Sequence, residues 1–139
     1  MQKRASGFTL IEVMVVMVII GILAAVMVPK IMNRPNQARI VAAKNDIRSI
    51  MSALKLYRLD NGHYPTQQQG LKALVQKPSS GPAAAGWRSG GYLPRVPIDP
   101  WGRPFQYLNP GIHGRVDVFS YGPHGQKHGM KGVIGSWQT

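Results

Sequence analysis

Residues 7–29 read GFTLIEVMVVMVIIGILAAVMVP, an apolar stretch with one charged side chain, Glu12. As an α-helix rising about 1.5 Å per residue, residues 8–28 would cover roughly 30 Å, the thickness of a membrane's hydrocarbon core. Lys3 and Arg4 stand before the stretch, and basic residues favour the cytoplasmic side. The sequence therefore predicts a single membrane-spanning helix with its N-terminus in the cytoplasm.

A cleaved secretory signal is the alternative interpretation of this stretch. Such a signal needs small residues in an A-x-A-like pattern after the apolar segment. Ala24-Ala25-Val26 breaks that spacing, and the apolar stretch continues to Pro29. The small-residue junction Ser6-Gly7 lies before the stretch, so cleavage there would leave the helix on the mature chain.

Glu12 raises the question of why a carboxylate lies in an apolar helix. A charged side chain within a membrane helix costs on the order of 2.5–3.5 kcal/mol on insertion scales. In one interpretation Glu12 lies close enough to the interface to reach water. In the other it has a cationic partner, because cleavage after Gly7 would give Phe8 a new amine one helical turn away. A neighbouring subunit could then present its amine to this carboxylate.

The segment Gly7-Phe8-Thr9-Leu10-Ile11-Glu12, followed by an apolar helix, resembles the class III signal of type IV pilins and their relatives. The resemblance implies cleavage between Gly7 and Phe8 by a prepilin peptidase, with N-methylation of Phe8. It also implies that Glu12 is the carboxylate used in assembly, together with the amine of Phe8.

Composition limits the chemistry of the remaining chain. The 139 residues include 17 basic and 5 acidic side chains, giving a formal charge of +12, and no cysteine. Disulfides and cysteine-ligated metals are therefore excluded. The basic residues are scattered without interleaved aromatics, so nucleic-acid binding is not expected. Ser120 has no nucleophile-elbow pattern around it, and Gly122–Gly125 lack the setting of a phosphate-binding loop. The sequence predicts a non-enzyme.

A second helix follows two prolines. Pro29 should end or kink the first helix, and with Pro35 it predicts a bend at residues 29–36. An apolar stripe at helical spacing follows, and Asp60–Gly62 supplies a stop signal. The stripe comprises Ile40, Ala43, Ile47, Ile50, Leu54 and Tyr57.

The rest of the chain predicts short elements. Thr66 and Gln69 form a capping box before a short helix that ends at Pro78, and residues 78–91 form a long loop. Asp99–Gly102 fits a type I turn. Residues 104–108 and 115–121 predict an antiparallel hairpin. The expected fold class is α+β: a long N-terminal helix, apolar in its first half and amphipathic in its second, packed on a small antiparallel sheet.

Three further segments are similar to the major pseudopilins of type II secretion systems: YRLDNGHYPTQQQGLKALV, GGYLPRVPIDPWGRPFQYLNPG and DVFSYG. The resemblance implies a leader at residues 1–7, a transmembrane and polymerisation segment at 8–28 and a periplasmic head at 29–139. It also implies a homopolymeric periplasmic fibre that drives folded proteins across the outer membrane. Implied partners are minor pseudopilins, the prepilin peptidase, an inner-membrane assembly platform, a secretion ATPase and inner-membrane lipid.

The last loop departs from the pattern of that group, whose members usually bind calcium there. Calcium prefers six to eight oxygen ligands, carboxylates among them. The expected aspartates are replaced by His124 and around Lys131, Gly132 and Val133, and no acidic residue follows Asp117. We therefore expect no calcium site of the usual kind and no other cofactor. Packing of Val133, Ile134 and Trp137 could hold the loop instead.

Two alternatives remain at this point. His124 and His128, with His113 in the hairpin loop, could in principle bind a transition metal, but two histidines without a clear third ligand are a weak signal. The chain could also be a subunit of a DNA-uptake or type IV pilus-like filament, a function that the +12 charge would serve.

Overall fold

The fold combines two helical segments with a small sheet. A computed structural model describes residues 6–31 and 34–139. The helices are α1, Leu10–Ile31, and α2, Arg34–Asn61. The strands are β1, Gln106–Leu108, β2, Asp117–Ser120, and β3, Ile134–Gly135, which form one antiparallel sheet in the order β1-β2-β3. Single 3₁₀ turns occupy Leu71–Leu74, Gln126–His128 and Ser136–Gln138. The predicted α+β class is confirmed.

The chain divides into two compact units, one ending at Gln37 and one running from Ala38 to Thr139. Pro29 was predicted to end or kink the first helix; it does not end it, because α1 continues to Ile31, and the kink stays a prediction. Pro35 lies in the first turn of α2, where a missing backbone donor costs little because those donors have no partner within the helix. Residues 32–33 of the predicted bend lie outside the described residues.

Helix α2 provides the core of the second unit through its apolar stripe. Ile47, Ile50, Leu54 and Tyr57 are 0% exposed, and they cluster with Tyr107 and Val118 of the sheet among others. Burial of each large side chain stabilises the fold by roughly 1.5–3 kcal/mol. The predicted stripe is therefore confirmed as the face that packs on the sheet.

The stop signal of α2 acts at the predicted place. Asn61 is the last helical residue, and its side-chain amide donates to the carbonyl of Tyr57 at 2.9 Å and to the hydroxyl of Tyr92 at 3.1 Å. Gly62 follows with a φ of 82°, a left-handed conformation that glycine adopts without steric cost.

The capping box forms, but the element after it is shorter than predicted. The backbone N–H of Thr66 donates to Oε1 of Gln69 at 3.0 Å, and that of Gln69 donates to Oγ1 of Thr66 at 3.2 Å. Gly70 then takes a φ of 59°, which interrupts the helical path. The predicted helix reduces to the 3₁₀ turn Leu71–Leu74.

The predicted hairpin and turn are both present. Tyr107 of β1 pairs with Val118 of β2, and the backbone N–H of Gly102 donates to the carbonyl of Asp99 at 2.9 Å. Strand β3 was not predicted; it pairs Ile134 with Ser120. Its pairing joins the last loop to the centre of the sheet.

Candidate functional site

The first candidate site lies where α1 begins. The backbone N–H and the hydroxyl of Thr9 both donate to Oε2 of Glu12, at 3.0 and 3.3 Å. The backbone N–H of Glu12 contacts Oγ1 of Thr9 in return, at 3.4 Å. This reciprocal arrangement is a capping box, in which Thr9 is the N-cap and Glu12 the third helical residue. Glu12 therefore satisfies the helix terminus of its own chain while its side chain stays exposed.

This capping role offers a third answer to the question of Glu12. The sequence predictions for Glu12 were contact with water and a partner amine, and local capping was not among them. The pattern Thr9-x-x-Glu12 was available in the sequence, and the same pattern with Gln was recognised at Thr66. A carboxylate at a helix N-terminus also interacts favourably with the helix dipole, by about 0.3–1 kcal/mol. The capping and assembly roles are compatible, since the carboxylate can exchange one set of donors for another.

Gly7 and Phe8 lie in the segment just before the helix. Residues 6–9 have no regular secondary structure, and an added Cβ at Gly7 would meet nothing within 4 Å. Phe8 is 89% exposed. An accessible, unpaired backbone is what a processing protease requires, because it must bind the peptide in an extended form. The Gly7–Phe8 bond lies in an exposed segment without regular secondary structure.

Between Leu10 and Val26, the surface of α1 is apolar on every side apart from Glu12. The large apolar side chains between Phe8 and Val26 have exposures from 48% to 89%. A continuous exposed apolar surface of this kind marks contact with other proteins or with lipid. Within residues 6–31 and 34–139, no helix combines the length and the hydropathy needed to cross a membrane.

The second candidate site is the last loop of the head, where the resemblance would place a calcium ion. Its entry is fixed by Asp99, whose Oδ2 accepts a hydrogen bond of 2.6 Å from the hydroxyl of Ser120. The same hydroxyl oxygen accepts the backbone N–H of Gly122 at 3.0 Å. The guanidinium of Arg103 donates to the carbonyl of Gly122. Asp99 and Ser120 are buried, so these bonds form in a largely dry environment.

This loop does not supply the ligands that calcium prefers. Both carboxylate oxygens of Asp99 already accept hydrogen bonds, Oδ1 from backbone N–H groups and Oδ2 from Ser120. The carbonyl of Gly122 is bonded by a cation, Arg103. Val133, at one of the positions where acidic residues were expected, is buried with 8% exposure, whereas Lys131 and Gly132 are exposed. The donors present fit a calcium ion poorly, because it needs several free oxygens including carboxylates.

The three histidines considered as metal ligands do not converge. The rings of His124 and His128 lie 5.7 Å apart, whereas His113 stacks on Trp137 at 3.8 Å and contacts Asp117. Within the part of the chain that the structure describes, no group of three potential metal ligands occurs. The contacts of His113 account for its position in the head.

Asp117 organises the hairpin loop. Its two carboxylate oxygens accept the backbone N–H groups of Ile112, His113 and Gly114 at 2.7, 2.9 and 3.1 Å. Burial by itself raises the pKa of Asp117, but the hydrogen bonds from His113 and Ile112 outweigh burial and hold that pKa below its usual 3.8. This carboxylate acts as an acceptor for the loop backbone, which is a structural role.

The two sites and the fold together define a class of protein. Pilin-like filament subunits have this organisation. They begin with an exposed apolar helix, here capped by a glutamate, and carry a head of one long amphipathic helix and a small antiparallel sheet. Known proteins of similar sequence and structure narrow this class to one family.

Two family descriptions match the chain. The description "Type II secretion system (T2SS), protein G" matches residues 30–137, and "Prokaryotic N-terminal methylation motif" matches residues 2–28. The type II secretion system core protein G of Pseudomonas aeruginosa is 53% identical over 142 residues, with 100% of both chains covered. That of Vibrio cholerae is 47% identical over 138 residues, covering 98% of this chain and 94% of the relative.

A solved structure agrees with these sequence matches. The crystal structure of the major pseudopilin from the type 2 secretion system of enterohaemorrhagic Escherichia coli superposes with a TM-score of 0.71 at 42% identity, covering 78% of this chain and 94% of that one. The chain belongs to the type II secretion system protein G family. It is a structural subunit of the pseudopilus, and the alternative of a DNA-uptake or type IV pilus-like filament is not supported.

Proposed function

We propose that the chain is processed between Gly7 and Phe8, methylated on the new amine of Phe8, and polymerised into a periplasmic fibre. The match of residues 2–28 to the N-terminal methylation motif supports the processing step, and the accessible backbone around Gly7 suits it. Before assembly, residues 8–28 anchor the subunit in the inner membrane and the head lies in the periplasm.

Assembly is driven by the surface of α1. Its exposed apolar side chains contact lipid in the isolated subunit and contact the helices of neighbouring copies in the fibre. Glu12 favours the fibre over the isolated subunit, because its carboxylate meets the Phe8 amine of another copy. Two unit charges 4 Å apart interact with about 4 kcal/mol at an effective dielectric constant near 20. An N-cap interaction contributes about 0.5–2 kcal/mol, so the charge pair can replace the capping bonds from Thr9 that the carboxylate gives up.

The remaining machinery acts on this fibre. A prepilin peptidase removes the leader, and an inner-membrane platform with a secretion ATPase extracts subunits from the membrane. Minor pseudopilins join the fibre, which drives folded proteins across the outer membrane. Among the described residues no group of the head is arranged as a hydrolytic site, since Asp99 and Asp117 are used as structural acceptors, and we propose that the subunit is not an enzyme.

The observation that supports the proposal is the exposed Glu12, which helps to cap the start of an apolar helix. The test compares Glu12→Ala with Glu12→Gln in cells that carry the secretion machinery. The glutamine side chain still offers an oxygen to the donors of Thr9, so it keeps the cap but removes the charge. Both variants should insert and be processed normally, yet yield at least about tenfold fewer sedimentable fibres, as expected if a pair worth more than about 1.4 kcal/mol is lost.

The control is Thr9→Ala, which weakens the cap but keeps the charge. This variant should assemble nearly as well as the parent chain. If Glu12→Gln assembles normally while Glu12→Ala does not, Glu12 acts through helix capping and the charge pair is wrong. Electron microscopy of sheared fibres and the shift in subunit mass on processing provide the two readouts.

A further inference from the structure

Arg103 lies between two parts of the head that are distant in sequence. It follows the turn at residues 99–102, and its Nε lies 3.8 Å from Oδ2 of Asp99. From there the guanidinium reaches the last loop and donates to the carbonyl of Gly122. Its side chain is 36% exposed, whereas that of Asp99 is 1% exposed. The cation therefore sits over a buried carboxylate.

These contacts close a ring. Gly122 donates through its backbone N–H to the hydroxyl of Ser120, and that hydroxyl donates to Asp99. Arg103 completes the ring by contacting both Asp99 and the carbonyl of Gly122. The link between Arg103 and Asp99 is an ion pair. The bond from the guanidinium to the Gly122 carbonyl is a hydrogen bond from an ionised group, which is stronger than one between neutral groups, so the ring fixes the start of the loop.

The guanidinium also lies against the next turn of the loop. A Cβ added at Gly125 would collide with a terminal nitrogen of Arg103. Gly125 has a φ of 69° and is buried. The backbone from Gly122 to Gly125 is thus wrapped around the end of one arginine side chain.

Apolar packing accounts for the far end of the loop but not for its beginning. Val133 and Ile134 are buried at its far end, but the side chains at residues 126–132 are exposed. The expected packing of Val133, Ile134 and Trp137 covers the end of the loop and leaves its beginning without an anchor.

We propose that Arg103 is the built-in cation of the last loop and does the work that a bound divalent cation would do. A divalent ion would organise backbone carbonyls by its charge, and it would need carboxylates that the chain lacks after Asp117. Arg103 provides the positive charge and the donors from within the fold, so the loop is ordered without calcium. This inference is independent of the assembly proposal, since it concerns the head alone.

The test measures amide hydrogen exchange in the full-length chain held in detergent micelles. In the parent chain, exchange at residues 121–133 should be unchanged when calcium is added or removed with EDTA. Arg103→Gln should speed exchange in this segment by about tenfold, the fold-change that matches a loss of about 1.4 kcal/mol. Exchange along residues 43–57 of α2 should stay the same.

Arg95→Gln is the matched control, because Arg95 is an exposed arginine of the same head. It should leave exchange at residues 121–133 unchanged. Should Arg103→Gln fail to fold, Arg103→Lys keeps the charge but loses the planar fork, and its loop should exchange faster than that of the Arg95 control. Slower exchange of the parent loop in calcium would overturn the proposal, as would loop protection in either Arg103 variant equal to that of the control.

A double-mutant cycle adds a geometric check. Gly125→Ala should raise loop exchange far more in the parent chain than in the Arg103→Gln background, where the colliding guanidinium is gone. The strain of a left-handed φ is common to both backgrounds and cancels. Equal effects in the two backgrounds would contradict the contact between Gly125 and Arg103.

Discussion

Removal of the Ser120 hydroxyl should destabilise the head more than the loss of any exposed hydroxyl. Ser120 is 0% exposed. It donates to the buried carboxylate of Asp99 at 2.6 Å and accepts the backbone N–H of Gly122 at 3.0 Å. Ser120→Ala therefore deletes two bonds at once and leaves a buried carboxylate oxygen and a buried N–H without this partner.

The size of the effect follows from these two bonds. A hydrogen bond to a charged group contributes about 1.5–3 kcal/mol, and a buried donor left unsatisfied costs about 1–3 kcal/mol. Because Arg103 still contacts Asp99 and offsets part of the loss, we expect a total of about 3 kcal/mol. For a domain of this size, about 1 kcal/mol corresponds to about 4–8 °C in Tm. The variant should therefore melt at least about 12 °C below the parent chain.

The assay is thermal unfolding followed by circular dichroism, with the full chain in detergent. Ser52→Ala is the control, since Ser52 is an exposed serine of α2 whose hydroxyl donates only to the carbonyl of Arg48. That variant should stay within about 0.5 kcal/mol of the parent. If Ser120→Ala melts together with Ser52→Ala, the bonds around Asp99 do not stabilise the head and the reasoning is refuted.

Two further predictions concern buried polar groups of the head. The pKa of Asp117 is lower in the folded chain than its usual 3.8, so its contribution to stability is present above that pH and is lost as the pH falls through the folded pKa. The stability difference between the parent and Asp117→Asn should therefore shrink from about pH 5 to about pH 2 in denaturant titrations; a difference that grows instead would contradict the sign. Tyr57→Phe should raise the free energy of unfolding by about 1 kcal/mol, because the Tyr57 hydroxyl is buried without a hydrogen-bond partner among the described residues. A lower Tm for Tyr57→Phe would show that this hydroxyl has a partner after all.

The sequence predicted those elements whose cause is local. The stripe from Ile40 to Tyr57 follows from helical spacing alone, and the end of α2 follows from Asn61 and Gly62. The turn at residues 99–102 follows from the preferences of aspartate, proline and glycine at fixed positions. In each case the deciding residues are neighbours along the chain, so no tertiary contact was needed to recognise them.

The features that escaped prediction depend on contacts between distant segments. Strand β3 has only the two residues Ile134–Gly135, which is too short for any alternation to appear, and it exists because β2 offers an edge. In the sequence, Arg103 is part of a segment that resembles the family. Its bond to Gly122 appears only when two loops meet in the folded chain. The capping box at Thr9 is the exception, because its signal, Thr9-x-x-Glu12, is local and was not used in the prediction.

The central proposal is that a processed N-terminus supplies the cation for Glu12. Mass spectrometry of subunits recovered from sheared, assembled fibres tests this directly. The proposal predicts a chain that begins at Phe8 and carries one methyl group on its amine. Assembled subunits that retain residues 1–7 would contradict it, because the leader would leave Phe8 without the amine that pairs with the next copy.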